Sequence, residues 1–176
     1  MKAIAILKHP PDLVWRTVRD RIHEIAVLLD DIENVTPTSR DPARDGALHI
    51  VNVWTARPRL PAVVSSRLGP ELFAWTDRSV WPVKKLECEW RIEPHIFADR
   101  IKSQGITRYE PALGGRGTRV TFEGVLELSL ANLPGVPPGF EGAVGAGVEA
   151  FLGTLIPKTF RKLIDATATV LDGRKG

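Results

Sequence analysis

The sequence predicts an α+β fold, in which one antiparallel sheet of about seven strands packs on a long C-terminal helix. Two observations predict it. From Val148 to Leu171 the apolar residues recur every three or four positions, which is the period of one helical face. Between Leu72 and Leu130, apolar and polar residues alternate as in strands with one face buried and one face in solvent. The helix needs a surface that buries its apolar face, and the sheet supplies one.

The first part of the chain predicts one strand followed by a short helix pair. Ala3 to Leu7 is a brief apolar run typical of a strand. Pro10-Pro11-Asp12 then starts a helix, because proline suits the first helical turn and an acidic residue there interacts favourably with the helix dipole. Apolar residues continue at helical spacing to Leu29, so the helix ends, or gives way to a second short one, near Asp30-Asp31.

Six strands are predicted between the helix pair and the C-terminal helix. The alternation predicts antiparallel hairpins and not parallel strands joined by helices. A composition rich in Asp, Pro and Gly predicts a turn between the first two of these strands, from Asp41 to Gly46. The strands are Glu33 to Arg40, Leu48 to Ala56, Leu72 to Trp81, Leu86 to Ile92, Ala98 to Glu110 and Thr118 to Leu130.

The segment from Leu60 to Leu68 combines apolar residues with flanking arginines. A short helix or a lid fits this composition best. An ordinary packed connection is favoured over an element that touches a membrane surface, although the second reading stays open.

Pro157 interrupts the pattern of the C-terminal helix. It removes one backbone donor, and its ring crowds the carbonyl of Gly153, which has no side chain to add to the crowding. We therefore predict a bend within one helix, with a simple break as the alternative. A bent helix over a curved sheet would leave space beneath one half of it.

Composition and charge exclude several classes of protein. The 176 residues, 43% of them hydrophobic, suit a single domain spanning residues 1–176. The net charge of +3 is small and spread along the sequence, so we expect no nucleic-acid binding. Cys88 is the sole cysteine, which fits a reducing compartment. We find no signal-peptide core and no run long enough to span a bilayer, and we expect a cytoplasmic protein.

The order of elements, together with particular residues, resembles the START-like (SRPBCC) helix-grip superfamily, which includes Bet v 1 proteins and polyketide cyclases. The features that carry the resemblance are Pro10-Pro11-Asp12-Leu13-Val14-Trp15 at the start of the first helix, Gly117-Thr118-Arg119-Val120-Thr121 at the start of a strand, and the terminal helix. The resemblance implies a curved sheet that grips the helix around an apolar cavity. Members of the superfamily bind lipids, sterols or polyketides, and a minority are enzymes.

Asp77 is the most informative candidate for the site. It alternates with Trp75 and Ser79, so an inward face would hold its carboxylate among aromatic rings. An unpaired buried carboxylate is costly, so it needs a ligand, a water or an arginine as its partner. The alternative is a position at the rim of the sheet, paired with Arg78 or Arg100.

Other inward-facing aromatic and hydroxyl side chains complete the predicted ligand site. Hydroxyls such as those of Ser103 and Thr107 could orient a polar end of a ligand, or be satisfied within the core. The predicted ligand-binding residues are Phe73, Trp75, Asp77, Trp90, Ser103, Thr107, Tyr109, Phe122, Phe151 and Leu155.

No motif predicts a cofactor or a metal. Gly145 to Ala150 matches the dinucleotide fingerprint, but a proline-rich stretch precedes it instead of a strand, so we interpret it as a flexible helix start. The four histidines lack metal-ligand spacing, and Cys88 lies on the apolar face of its strand as a core residue.

The sequence thus favours a module that binds a hydrophobic small molecule such as a lipid, a sterol or a polyketide-like compound. The alternative is an enzyme of the polyketide cyclase or aromatase type, in which Asp77 or Tyr109 exchanges a proton with the substrate. A third hypothesis is a protein that docks on a membrane surface through Leu60 to Leu68. The sequence does not indicate an oligomeric state.

Overall fold

The computed structural model describes residues 1–57, 73–95, 98–129 and 141–173. For residues 128, 141 and 143–155 it describes the backbone and not the side chains. Its strands are β1 (Lys2–Leu7), β2 (Ile32–Pro42), β3 (Leu48–Ala56), β4 (Ala74–Trp81), β5 (Glu87–Pro94), β6 (Ile101–Ala112) and β7 (Gly117–Leu128). Its helices are α1 (Pro11–Asp20), α2 (Ile22–Ala26) and α3 (Glu141–Asp172), and a 3₁₀ turn at Leu113–Gly115 joins β6 to β7. The segment from Leu60 to Leu68 lies outside the described residues.

The seven strands form one sheet in the order β1-β7-β6-β5-β4-β3-β2, and every neighbouring pair is antiparallel. Consecutive strands from β2 to β7 are therefore neighbours, while β1 crosses over to pair with β7. This confirms the predicted α+β fold, with its antiparallel sheet, its helix pair after the first strand and its C-terminal helix. Within the described residues, no helix is long and apolar enough to span a membrane.

The helix pair breaks earlier than the sequence predicts. Arg21, at φ −124°, leaves the helical conformation and separates α1 from α2. Its backbone N–H still bonds the carbonyl of Thr17 at 2.9 Å, and its guanidinium pairs with Glu24 in the next helix. The apolar period therefore runs through two short helices, and α2 ends at Ala26 instead of near Asp30-Asp31.

The C-terminal helix is continuous. It has 32 residues, begins at Glu141, seven positions before the predicted Val148, and passes through Pro157 without dividing into two helices. The simple break that we left open is therefore not observed. The glycine-rich stretch Gly145 to Ala150 lies inside this helix and not at a strand-to-helix turn, so it has no phosphate-binding context.

The core lies between the helices and the inner face of the sheet, the face on which Ile50, Trp90 and Val120 are buried. Val14 and Ile25 from the helix pair and Ile164 from α3 are almost fully buried there. They meet the alternating apolar residues of the strands, and this burial is the main stabilising contribution to the fold.

Candidate ligand site on the inner face of the sheet

Strand alternation places most of the predicted ligand-binding residues on the inner face. The residues with under a tenth of their surface exposed are Trp90, Ser103, Thr107, Tyr109 and Phe122. Trp75, Asp77 and Phe73 are half-buried, and Phe73 directly precedes β4. The side chains of Phe151 and Leu155 are not among those that the structure describes, so their part in a site stays a prediction.

One aromatic stack connects the sheet to α3. The rings of Trp90 and Phe122 are almost parallel, 4° apart, with centroids separated by 4.6 Å. Phe122 in turn lies 5.0 Å from Phe160 of α3, tilted by 31°. This stack joins the middle of the sheet to the second half of the helix.

Two glycines create the space for this stack. A Cβ atom at Gly105 or at Gly124 would lie 2.5 Å from the Trp90 indole, so the ring fits only because both positions lack side chains. The two glycines face each other in the β6–β7 register, beside Trp90 on β5. Sequence reasoning did not identify this role of the two glycines, since it depends on the register.

A second aromatic pair lies nearer the end of the sheet. Trp54 of β3 stands opposite Trp75 of β4, and their rings are 8° from parallel with centroids 6.0 Å apart. Trp54 is buried and Trp75 is half-buried. Sequence reasoning missed Trp54, although alternation along β3 places it on the same face as Ile50 and Asn52.

Asp77 lies beside this pair on the inner face. In the register it stands between Asn52 of β3 and Ile92 of β5. Burial raises its pKa from 3.8 to about 7, and the indole N–H of Trp54 opposes that rise only in part. The carboxyl group therefore titrates near neutral pH.

The structure does not agree with the alternative in which Asp77 lies at the rim of the sheet and pairs with Arg78 or Arg100. The guanidinium of Arg78 pairs with Glu93, with Nε 3.0 Å from a carboxylate oxygen, and Arg100 lies 3.7 Å from Asp99. Within the described part of the chain, no lysine or arginine forms an ion pair with Asp77.

Two buried donors of the inner face, the indole N–H of Trp90 and the hydroxyl of Ser103, have no acceptor among the described residues. The indole N–H of Trp54, by contrast, interacts with the Asp77 carboxyl group and acts to lower its pKa. The buried indole of Trp15 also has a partner, since it donates to the carbonyl of Glu87 at 2.9 Å. Buried donors without partners are rare in native proteins and cost about 1–3 kcal/mol each.

Cys88 and Tyr109 are also buried on the inner face of the sheet, and neither is in a reactive form. Burial raises the pKa of the Cys88 thiol well above its ordinary value, and the charge of Asp77 adds to that rise. Burial likewise raises the pKa of Tyr109. Of the two residues considered for proton exchange, Asp77 is therefore the one that titrates near pH 7.

The described histidines do not gather into a metal site. His9 is buried and bonds the carboxylate of Asp172 at 3.1 Å, and His95 is exposed and bonds Thr76 at 3.0 Å. No group of three or more metal-ligating side chains occurs in the described ranges.

A shallow depression lies on the opposite, outer face of the sheet. It has a volume of about 450 Å³ and is bordered by the first residues of β1 and the middle of β6 and β7, including Gln104 and Val125. It opens broadly to solvent and contains none of the predicted site residues.

No protein-family model matches the chain, and no curated protein matches it either. Among solved structures, the chain is similar to TTHA0849 from Thermus thermophilus, with a TM-score of 0.67, 17% identity and 97% of each chain covered. It is also similar to the ZhuI aromatase/cyclase from a Streptomyces species, with a TM-score of 0.66, 14% identity, and 95% of this chain and 92% of that chain covered. Norcoclaurine synthase from Thalictrum flavum, as a point mutant with a transition-state analogue, gives a TM-score of 0.65 at 10% identity, over 100% of this chain and 95% of that chain.

Identities this low establish the architecture and not the activity. The agreement extends over nearly the whole chain in each comparison. The chain therefore has the same helix-grip fold as these proteins, the fold class that the sequence resemblance implied.

Proposed function

We propose that this protein encloses a hydrophobic, largely aromatic small molecule between the inner face of the sheet and α3. The observation that carries the proposal is Asp77, a half-buried carboxyl group beside Trp54 and Trp75 without a cation within the described part of the chain. A polar group in such surroundings needs a partner, and a bound molecule supplies one.

The surroundings of Asp77 support an apolar, ring-containing ligand. The parallel Trp54–Trp75 pair presents a flat apolar surface, because Trp75 keeps part of its surface uncovered. Aromatic faces favour stacking with other rings at centroid distances of about 4.5–7 Å. The solved structures of similar fold include an aromatase/cyclase, which accords with a ligand of this kind. We expect the protein to work in the cytoplasm, since the sequence contains one cysteine, Cys88, and so has no intramolecular disulfide.

A second candidate is an enzyme that acts on the same ligand. A carboxyl group with a pKa of about 7 can take a proton from an acidic carbon or hydroxyl of the substrate and return it elsewhere. In this reading Asp77 exchanges the proton, while Tyr109 stays protonated and orients an oxygen of the substrate. Cyclisation of a polyketone-like chain is the reaction type that such proton exchange promotes.

Native mass spectrometry of freshly purified protein tests the binding proposal. We expect a co-purifying mass of a few hundred daltons that denaturation releases. Wild type and Asp77→Asn are then incubated with the released compound and with polyketone analogues, and the products are compared by mass and chromatographic retention.

The two candidates give different results for Asp77→Asn. For a carrier, affinity falls by no more than about 1–2 kcal/mol, the scale of one weakened polar contact, and no compound is converted. For an enzyme, binding survives, and conversion by the wild type disappears in the variant. Asp165→Asn removes an exposed carboxylate from α3 and is the control for a general effect of charge. Protein that contains no ligand and binds no apolar ring compound would contradict both candidates.

A further inference from the structure

β1 forms one edge of the sheet, and two of its outward-facing side chains are large and apolar. Ile4 and Ile6 keep 47% and 57% of their surface exposed on the outer face, whereas Ala3 and Leu7 on the inner face are buried. An edge strand presents a row of backbone N–H and C=O groups that can pair with a strand of another chain. β1 therefore combines free pairing groups with an exposed apolar surface.

The hydrogen bonds of Met1 identify the backbone groups of β1 that face away from β7. The N-terminal ammonium of Met1 donates to the carbonyl of Gly124 at 2.6 Å, and the Met1 carbonyl accepts from the Gly124 N–H at 3.0 Å. In an antiparallel pair, such doubly bonded positions alternate with positions whose groups point away from the neighbour. The β1–β7 register therefore directs the N–H and C=O groups of Lys2, Ile4 and Ile6 to the free edge. Among the described residues, no other backbone group bonds to them.

The edge strand on the opposite side of the sheet, β2, has features that hinder pairing. It contains Pro37 and Pro42, which have no N–H to donate, and its register against β3 shifts twice along its length. Register shifts bend and twist an edge so that a second strand cannot lie flat against it. β1 has no proline and no register shift against β7. The two edges of the sheet therefore differ, and β1 is the one open to a partner strand.

The charges of β1 select one arrangement of two copies about a two-fold axis. With Ile4 opposite Ile4 of the second copy, Lys2 stands opposite Ile6, and all three edge-facing positions bond, with about six hydrogen bonds in total. Lys2 meets no like charge in this register and keeps Glu123 as its partner at 2.6 Å. A shift of two residues in one direction places Lys2 opposite the exposed Lys8, which is unfavourable. A shift in the other direction leaves Ile6 without a partner residue.

We propose that two copies of this chain associate by antiparallel pairing of their β1 strands, with Ile4 on the two-fold axis. The pairing joins the two sheets into one continuous sheet and brings Ile4 and Ile6 of both copies together on its outer face. Two strands of six residues bury less than the roughly 1,200 Å² of a standard stable interface. We therefore expect a reversible dimer with a dissociation constant of about 10–100 μM. The inner face stays free, so the dimer does not depend on the proposed ligand.

Two measurements on the full chain, without any residue added before Met1, test the dimer and its position. Sedimentation velocity from about 1 to about 500 μM should show the average mass rising from that of the monomer to nearly twice that value. Amide hydrogen exchange followed by NMR at the two ends of this range locates the contact. We expect the amides of Ile4 and Ile6 to exchange several-fold more slowly at the high concentration. The amides of Ala3 and Ala5, which bond to β7, should be protected at both.

Substitutions at Ile4 separate edge pairing from other kinds of association. Ile4→Pro removes an N–H that faces the free edge, so the variant should fold and remain monomeric, whereas Ala5→Pro removes a bond to β7 and should unfold at lower urea concentration. Ile4→Lys places two like charges opposite each other on the axis and should weaken the dimer at least about tenfold. Val83→Lys is the matched control: Val83 is 66% exposed in the turn between β4 and β5, and the variant should dimerise as the wild type does.

Three results would overturn the proposal. The first is a wild-type chain that stays monomeric at about 500 μM, even if its free edge takes up an extended peptide of another protein. The second is a dimer that persists unweakened in Ile4→Lys, and the third is a dimer in which the amides of Ile4 and Ile6 exchange as fast as in the monomer. In both of these cases the contact lies elsewhere on the molecule. If Ile4→Pro does not fold, Ile4→Lys and the amide exchange of the wild type still decide.

Discussion

Replacing Asp77 by asparagine should make the protein more stable at neutral and alkaline pH. Asparagine has nearly the same shape as aspartate and keeps some hydrogen bonding, but it cannot ionise. In the wild type the folded-state pKa is about 7, above the ordinary value of 3.8 that applies to the unfolded chain. The folded state therefore binds more protons than the unfolded state between these values, and wild-type stability falls as pH rises through this window.

The size of the pKa shift of Asp77 determines how much the free energies of unfolding of wild type and Asp77→Asn differ. One pKa unit corresponds to about 1.4 kcal/mol, so the rise from 3.8 to about 7 corresponds to about 4 kcal/mol at full ionisation. Asp77 is half-buried, and water that reaches its carboxylate reduces the cost. We therefore expect Asp77→Asn to exceed the wild type by about 2–4 kcal/mol in free energy of unfolding at pH 8, and by less than about 1 kcal/mol at pH 4.

Urea denaturation at pH 4, 5, 6, 7 and 8 measures the difference. Each curve gives a midpoint and a slope, and equal slopes show that the two proteins expose similar surface on unfolding. Asp165→Asn, which removes an exposed carboxylate, should show no comparable rise between pH 4 and pH 8. A difference between Asp77→Asn and wild type that is independent of pH would show that Asp77 is well solvated or paired in the folded protein, and the reasoning would be wrong.

Three further predictions concern other parts of the chain. Gly105→Ala brings a Cβ atom against the backbone carbonyl oxygen of Glu123 in β7 and should reduce the free energy of unfolding in urea by about 3 kcal/mol or more. Gly142→Ala, whose Cβ would have nothing within 4 Å, should be neutral or stabilising. Pro157→Ala should straighten α3 and change the volume beneath it, and an unchanged helix path in a crystal structure of the variant would contradict this. Wild type and the Val63→Asp, Val64→Asp double variant should both fail to bind anionic vesicles at low salt in a sedimentation assay, and binding by the wild type alone would instead show a membrane-touching segment.

Sequence periodicity was sufficient to predict the architecture because each strand buries one face. Alternation along β4 placed Trp75 and Asp77 on one side, and the structure has them there. The same reasoning placed Cys88 in the core, where it is 5% exposed. Helix ends were harder to predict, since a break such as that at Arg21 leaves the apolar period almost unchanged.

The candidate site was only partly predictable because alternation gives the face of a residue and not its neighbours across the strands. Asp77 was identified from its own strand, but whether Arg78 or Arg100 pairs with it depends on the acidic residues that these two arginines contact, Glu93 and Asp99. The close packing of Trp90 on Gly105 and Gly124 likewise depends on the register of three strands, β5, β6 and β7.

The register also determines which polar side chains of the inner face lie in one row with Asp77. A slip of one residue between β5 and β6 would turn Ser103 to the outer face, and a slip of two would move it out of the row that contains Asp77. In the observed pairing, Ile92 stands between them as an apolar spacer, with Asn52 on the far side of Asp77. Polar side chains from β3, β4 and β6 thus lie in one row across the inner face, so a ligand that lies along this row can contact more than one of them.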